Sequence, residues 1–154
     1  MLFDKKNDTN AQPSDRLYRA TREIAAYFTE KELKYSTRRV DNMSILEAGM
    51  RGTNVNVVKI LFISTDEKSD VAIRSFQLVP SVPQEKRAPI METINTLNSK
   101  YRYIKFILDD DNITASFDIP SSSEEVGKIA FEIFLRFVKI IDDSYPEFMK
   151  TLWS

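Results

Sequence analysis

The sequence predicts an α+β domain built on a mainly antiparallel sheet, with elements ordered helix, three or four strands, helix, two strands, helix. Two observations carry this prediction. Apolar residues recur at helical spacing in three separate blocks, while the segments between them alternate or run apolar as strands do. The strands also come in runs rather than one by one between helices, which argues against a doubly wound parallel sheet.

The order can be read from the N-terminus. Residues 2–12 are polar and mixed, and a flexible tail over residues 1–14 is expected. Pro13-Ser14-Asp15 supplies helix-start signals. Leu17, Ala20, Ile24, Tyr27 and Phe28 follow at helical spacing, so the first helix is expected from Asp15 to Leu33. Tyr35 to Val40 reads as a weak strand, Asp41-Asn42 as a turn, and Ser44 to Met50 as a second strand. After Gly52-Thr53-Asn54, residues Val55 to Ser64 form the strongest strand pattern. Its apolar residues fall on both faces, which predicts an inner strand covered on each side. A charged turn over residues 66–70 leads to Val71–Val79.

Pro80 and Pro83 end the sheet run. Ile90, Ile94 and Leu97 then mark a second helix from Gln84 to Asn98, with Asn95 and Asn98 read as its C-terminal capping and turn residues. The clearest strand signal is a hairpin. Arg102, Ile104, Phe106 and Leu108 alternate with Tyr103, Lys105 and Ile107. Ile113, Ala115, Phe117 and Ile119 alternate with Thr114, Ser116 and Asp118 beyond a polar turn. Residues 121–125 open a last helix, expected to reach Tyr145, with Pro146 starting a short terminal helix that holds Phe148, Met149, Leu152 and Trp153. No repeat or linker divides the chain, so residues 15–154 form one domain.

Composition narrows the chemistry. The chain has 154 residues, enough to bury a core, and 22 basic residues balance 23 acidic ones. No global field is present to hold nucleic acid or an anionic membrane. Cysteine and histidine are both absent. That excludes disulfides, thiolate nucleophiles, zinc fingers and histidine-dependent triads. Carboxylate, Lys or Tyr chemistry and a hard-metal site remain open. No signal peptide or membrane span is visible, and a cytoplasmic location is expected.

Each local motif has a plain alternative. Asp109-Asp110-Asp111-Asn112 looks like a calcium loop but lacks the Gly and closing Glu of an EF-hand, and a hairpin turn needs the same residues. Gly49-Met50-Arg51-Gly52 is too short to cradle phosphate. Residues 100–106 interleave bases and aromatics as RNA-binding sheets do, without the glycines of that signature. Glu47 and Asp109 to Asp111 are the nearest candidates for acid–base work, with nothing to place them together. No cofactor is called for.

The last helix carries the strongest hint. Its apolar arc reaches roughly 240°, where a helix on one sheet face needs only about 100°. The excess predicts a second contact. Either the first helix or the terminal Phe148–Trp153 segment fills it, or a subunit or protein partner docks on Phe131, Leu135 and Val138.

Three stretches resemble the YbjN-like family of bacterial sensory transduction regulators. Residues 82–87, Val-Pro-Gln-Glu-Lys-Arg, are similar to that family's entry into its middle helix. Ile94-Asn95-Thr96-Leu97-Asn98 resembles its Leu-Asn-x-Leu-Asn element. Residues 103–109, continued to Asp118-Ile119-Pro120, resemble its hairpin. The family often has Gly after the Arg of the first hairpin strand, where Tyr103 and Ile104 stand here. The resemblance implies a fold like that of type III secretion chaperones and a non-enzymatic module that dimerises or holds a peptide or protein. It brings no catalytic residues, and secretion chaperones are usually more acidic than this chain. The expected function is therefore a protein-binding or regulatory module. The alternatives are a small-molecule-binding protein or carboxylate, Lys or Tyr enzyme, and a nucleic-acid-binding regulator.

Overall fold

The computed structural model describes residues 16–68, 70–120 and 122–154. The expected tail, Ser14, Asp15 and Ser121 lie outside these residues. The elements are α1 (Arg19–Glu30), β1 (Tyr35–Val40), β2 (Met43–Met50), β3 (Val58–Ser64), β4 (Val71–Val79), a single 3₁₀ turn (Gln84–Lys86), α2 (Arg87–Lys100), β5 (Lys105–Asp109), β6 (Asn112–Ile119) and α3 (Val126–Trp153). The six strands form one sheet in the order β1-β2-β3-β4-β6-β5, and every neighbouring pair is antiparallel. This is the α+β class that the runs of strands predicted.

Turn chemistry sets the register. β1 meets β2, and β5 meets β6, across the two-residue loops Asp41-Asn42 and Asp110-Asp111. Asp41 and Asp110 sit at φ 53° and 55°, the left-handed region that the favoured two-residue hairpin turns need. Asp111 is thus a turn residue. Its backbone carbonyl accepts from the Val82 N–H at 2.7 Å, and its carboxylate pairs with Arg87 at 3.3 Å.

One hydrophobic core joins all three helices to one face of the sheet. Phe28, Phe62 and Phe134 form its centre, with Phe28 and Phe62 edge to face at 5.4 Å. Phe106 and Phe148 extend it toward α2 at 5.1 Å. In β3 the residues on this face, Val58, Ile60, Phe62 and Ser64, are buried, while Lys59 is exposed and Leu61 and Ile63 are half-buried. Here the structure corrects an expectation. β3 is an inner strand, but among the described residues the helices cover only one of its faces.

Local bounds also move. α1 is shorter than expected at both ends. A left-handed Glu32 stops it, as the Leu33 N–H bonds the Phe28 carbonyl and the Glu32 N–H bonds the Thr29 carbonyl. β3 starts at Val58, because the preceding residues form a loop against α3. β5 starts at Lys105 rather than Arg102, and α2 runs two residues beyond Asn98 after its opening 3₁₀ turn. The largest correction concerns Pro146. α3 continues through it as one helix of 28 residues. Proline has no N–H for the carbonyl four residues earlier, which is that of Asp142. That carbonyl accepts instead from Asn54 Nδ2 at 2.9 Å.

Candidate functional site

Strand alternation builds a second, smaller apolar surface on the face away from the helices. The register lines up Arg38, Ile45, Ile63, Ala72 and Asp118 across five strands. The next row on that face holds Ser36, Glu47, Leu61, Arg74, Ser116 and Lys105. Ile45 is only 5% exposed, yet it stands apart from the helical core. Leu61, Ile63 and Ala72 around it are half-buried.

Towards the β5 edge, alternation puts Phe76 and Ile107 on this face at 50% and 46% exposure. Thr114 lies between them in strand order and is buried. A break in the β4–β6 register between Ser75 and Val79, with Gln77 at φ 50°, sets Phe76 beside it.

Charges of both signs rim the apolar rows. Glu47 pairs with Arg38 at 3.5 Å and Lys59 at 4.0 Å. Arg74 pairs with Asp118 at 2.6 Å.

The three residues proposed from the last helix do not share one surface. Phe131 packs its ring 5.8 Å from both Tyr27 and Phe28 of α1. Val138 is buried in the core. Leu135 is 43% exposed, with the charged Glu132, Arg136 and Lys139 within one turn of it on the helix. The excess apolar arc of α3 is filled from α1, from the sheet and from Phe106 in β5.

Other sequence candidates also find their places. Tyr103 sits edge-on to Phe117 at 6.1 Å with the Arg136 guanidinium 4.8 Å over its ring, while Ile104 and Phe106 are buried. Residues 100–106 therefore present no row of free aromatics for stacking bases. Glu47 belongs to the rim of the open face, far along the strand order from Asp109–Asp111. No cluster of three acidic residues placed to hold a metal occurs among the described residues. A groove of about 420 Å³ between α2 and α3, lined by Glu92, Thr93, Glu147 and Thr151, is crossed by a 2.7 Å bond between the two threonine hydroxyls.

Two features were not found from sequence. The Asp142 carboxylate accepts from the backbone N–H groups of Thr53, Asn54 and Val55 at 3.0, 2.7 and 2.9 Å. The Thr53 bond foremost, with those of Val55 and Asn54, holds its pKa below the ordinary value against the opposing pull of burial. Asn98, read as a helix cap, instead uses its carboxamide on β5. Its Oδ1 accepts from the Phe106 N–H at 2.7 Å and its Nδ2 donates to the Phe106 carbonyl at 3.0 Å. Both contacts join residues of different elements, and neither has a periodic signature.

The fold and its open face define a class: an α+β domain with one sheet face packed by helices and the other presented outward. Residues 22–149 match the family model described as "YbjN: Putative bacterial sensory transduction regulator", and the chain belongs to that family. No curated protein and no solved structure matches the chain. The likeness to type III secretion chaperones therefore has no structural match behind it. No helix among the described residues is long and apolar enough to cross a membrane.

Proposed function

We propose that this chain is a non-enzymatic regulatory module that holds a protein partner on the open face of its sheet. The observation that carries this reading is the apolar row Ile45–Ile63–Ala72, continued by Leu61, on the side the helices leave uncovered. The family description as a sensory transduction regulator and the lack of histidine and cysteine support it. The partner has an apolar centre to meet the half-buried Leu61 and Ile63 and the exposed Phe76. Its rim carries charges of both signs to meet the Arg38–Glu47–Lys59 and Arg74–Asp118 groups.

The test is capture of partners from the native host by the tagged full chain, compared with Phe76→Glu and Ile107→Lys. Both side chains are about half exposed, so the variants should fold with stability changes within about 0.5–1 kcal/mol. The expected result is one stoichiometric protein held by the wild type and lost from both variants. Retention by both, with loss on Leu135→Asp, would move the site to α3. Sedimentation of the purified chain reads whether it dimerises.

A further inference from the structure

We propose that the outer edge of β1 takes an acidic, extended peptide segment as an added strand, a reading that rests on the protein-binding function above. The two edges of the sheet differ. In the β5–β6 hairpin the turn closes on the Asp109–Asn112 pair, so alternation leaves the backbone groups of Phe106 facing away from β6. The Asn98 carboxamide takes both of them. It stands where the peptide group of a neighbouring strand would stand. Lys105 Nζ donates to the carbonyls of Asn98 and Tyr101 at 2.7 Å each, tying the end of α2 to the same edge. A strand cannot add there without displacing these contacts.

At Thr37 and Arg39, β1 has no such cover among the described residues. Its turn closes on the Val40–Met43 pair, so the N–H and C=O groups of Thr37 and Arg39 point away from β2. Among the described residues no side chain or loop bonds to them. An unpaired edge of this kind is a template for strand addition.

Charge selects the occupant. β1 carries Arg38 and Arg39 and no acidic residue, and Lys34 precedes it. Arg38 shares the Glu47 carboxylate with Lys59, so two cations face one anion. The Arg39 guanidinium lies 4.1 Å over the Tyr18 ring and donates to the carbonyls of Arg16 and Asp41 and to the Tyr18 hydroxyl, none of them anionic. Arg38 projects on the open face and Arg39 on the helical face. Acidic residues at neighbouring positions of an added strand would meet one arginine on each side. A second copy of β1 offers Arg38 and Arg39 no anion in any register, and centred on Arg38 it sets arginine against arginine, which is unfavourable across a strand pair. Charged edges can also serve only to repel strands, and the experiment separates that role from this one.

The experiment is an amide NMR titration of the labelled full chain with a capped Thr-Val-Thr-Glu-Asp-Val-Thr peptide, whose adjacent acids point to opposite faces of an added strand. Two controls have lysine at the acidic positions or N-methyl groups on alternate amides. Saturable shifts centred on Thr37 and Arg39 are expected, with binding about tenfold or more weaker for either control. Arg38→Glu with Arg39→Glu should reverse the preference to the lysine peptide. Unmoved β1 amides at millimolar peptide, or equal response to the lysine peptide, would overturn the proposal. So would concentration-dependent protection of β1 without peptide, which would mean a second copy. A captured partner lost on Phe76→Glu but held by Thr37→Pro would overturn the edge and leave the face. Peptide binding at β1 with no partner captured would keep the edge and overturn the face.

Discussion

A single carboxamide bonds the carbonyl that a proline leaves free inside α3. Pro146 frees the Asp142 carbonyl, Asn54 supplies the missing donor, and the Asp142 side chain in turn gathers three N–H groups of the β2–β3 loop. Gly52 lies against this contact so closely that an added Cβ would stand 2.8 Å from the Val55 carbonyl oxygen. Asn54→Ala should cost about 1 kcal/mol and Asp142→Asn about 1–3 kcal/mol, read by urea unfolding at neutral pH. The pH dependence follows from the depressed pKa of Asp142. Its unfolded form takes up a proton at higher pH than its folded form. The stabilisation is therefore complete above the ordinary value of 3.8 and is lost as pH falls through the lower folded value. The gap between wild type and Asp142→Asn should narrow in acid. A gap independent of pH would mean that the charge contributes nothing.

At the scale of elements, the contact between α1 and α3 determines how much of the last helix remains for a partner. Gly127 makes that approach close. A Cβ there would stand 2.8 Å from the Glu23 carbonyl oxygen and 2.8 Å from the Tyr27 Cβ. Gly127→Ala gains helix propensity yet must push the two helices apart, at a net cost of about 1–3 kcal/mol. Thermal unfolding should show a lower midpoint, and a rise would show that the helices have room to move. Phe131 then completes the seam between Tyr27 and Phe28. The α3 stripe was legible from its spacing, and so was the existence of a second contact. That α1 supplies it was one of three readings, beside the terminal Phe148–Trp153 segment and a partner, since periodicity gives the width of an apolar arc and not the identity of what covers it.

Across the whole molecule, the two faces of the sheet have different energetics. Phe62 and Leu61 are neighbours in β3, one in the helical core and the other on the open face. Phe62→Ala should cost about 3–5 kcal/mol. Leu61→Ala should cost roughly 1 kcal/mol, because its side chain already meets solvent. Chemical denaturation of the two variants reads the difference, and equal losses would mean that something covers both faces alike.

Alternation in the β5–β6 hairpin, the apolar spacing of the three helices and the turn residues around Asp41 and Asp110 were all legible from sequence. Each depends on groups within a few residues of one another, so the α+β class and the order of elements followed from local physics. The sequence by itself also excluded thiol and imidazole chemistry by composition. Only the tertiary structure decided that the helices cover a single sheet face, that Asn98 pairs with Phe106 rather than capping α2, and that Asn54 bonds the carbonyl that Pro146 leaves free. Those outcomes depend on which distant segments meet, and the free energy of such a meeting lies in packing and hydrogen bonds between partners that no local pattern names.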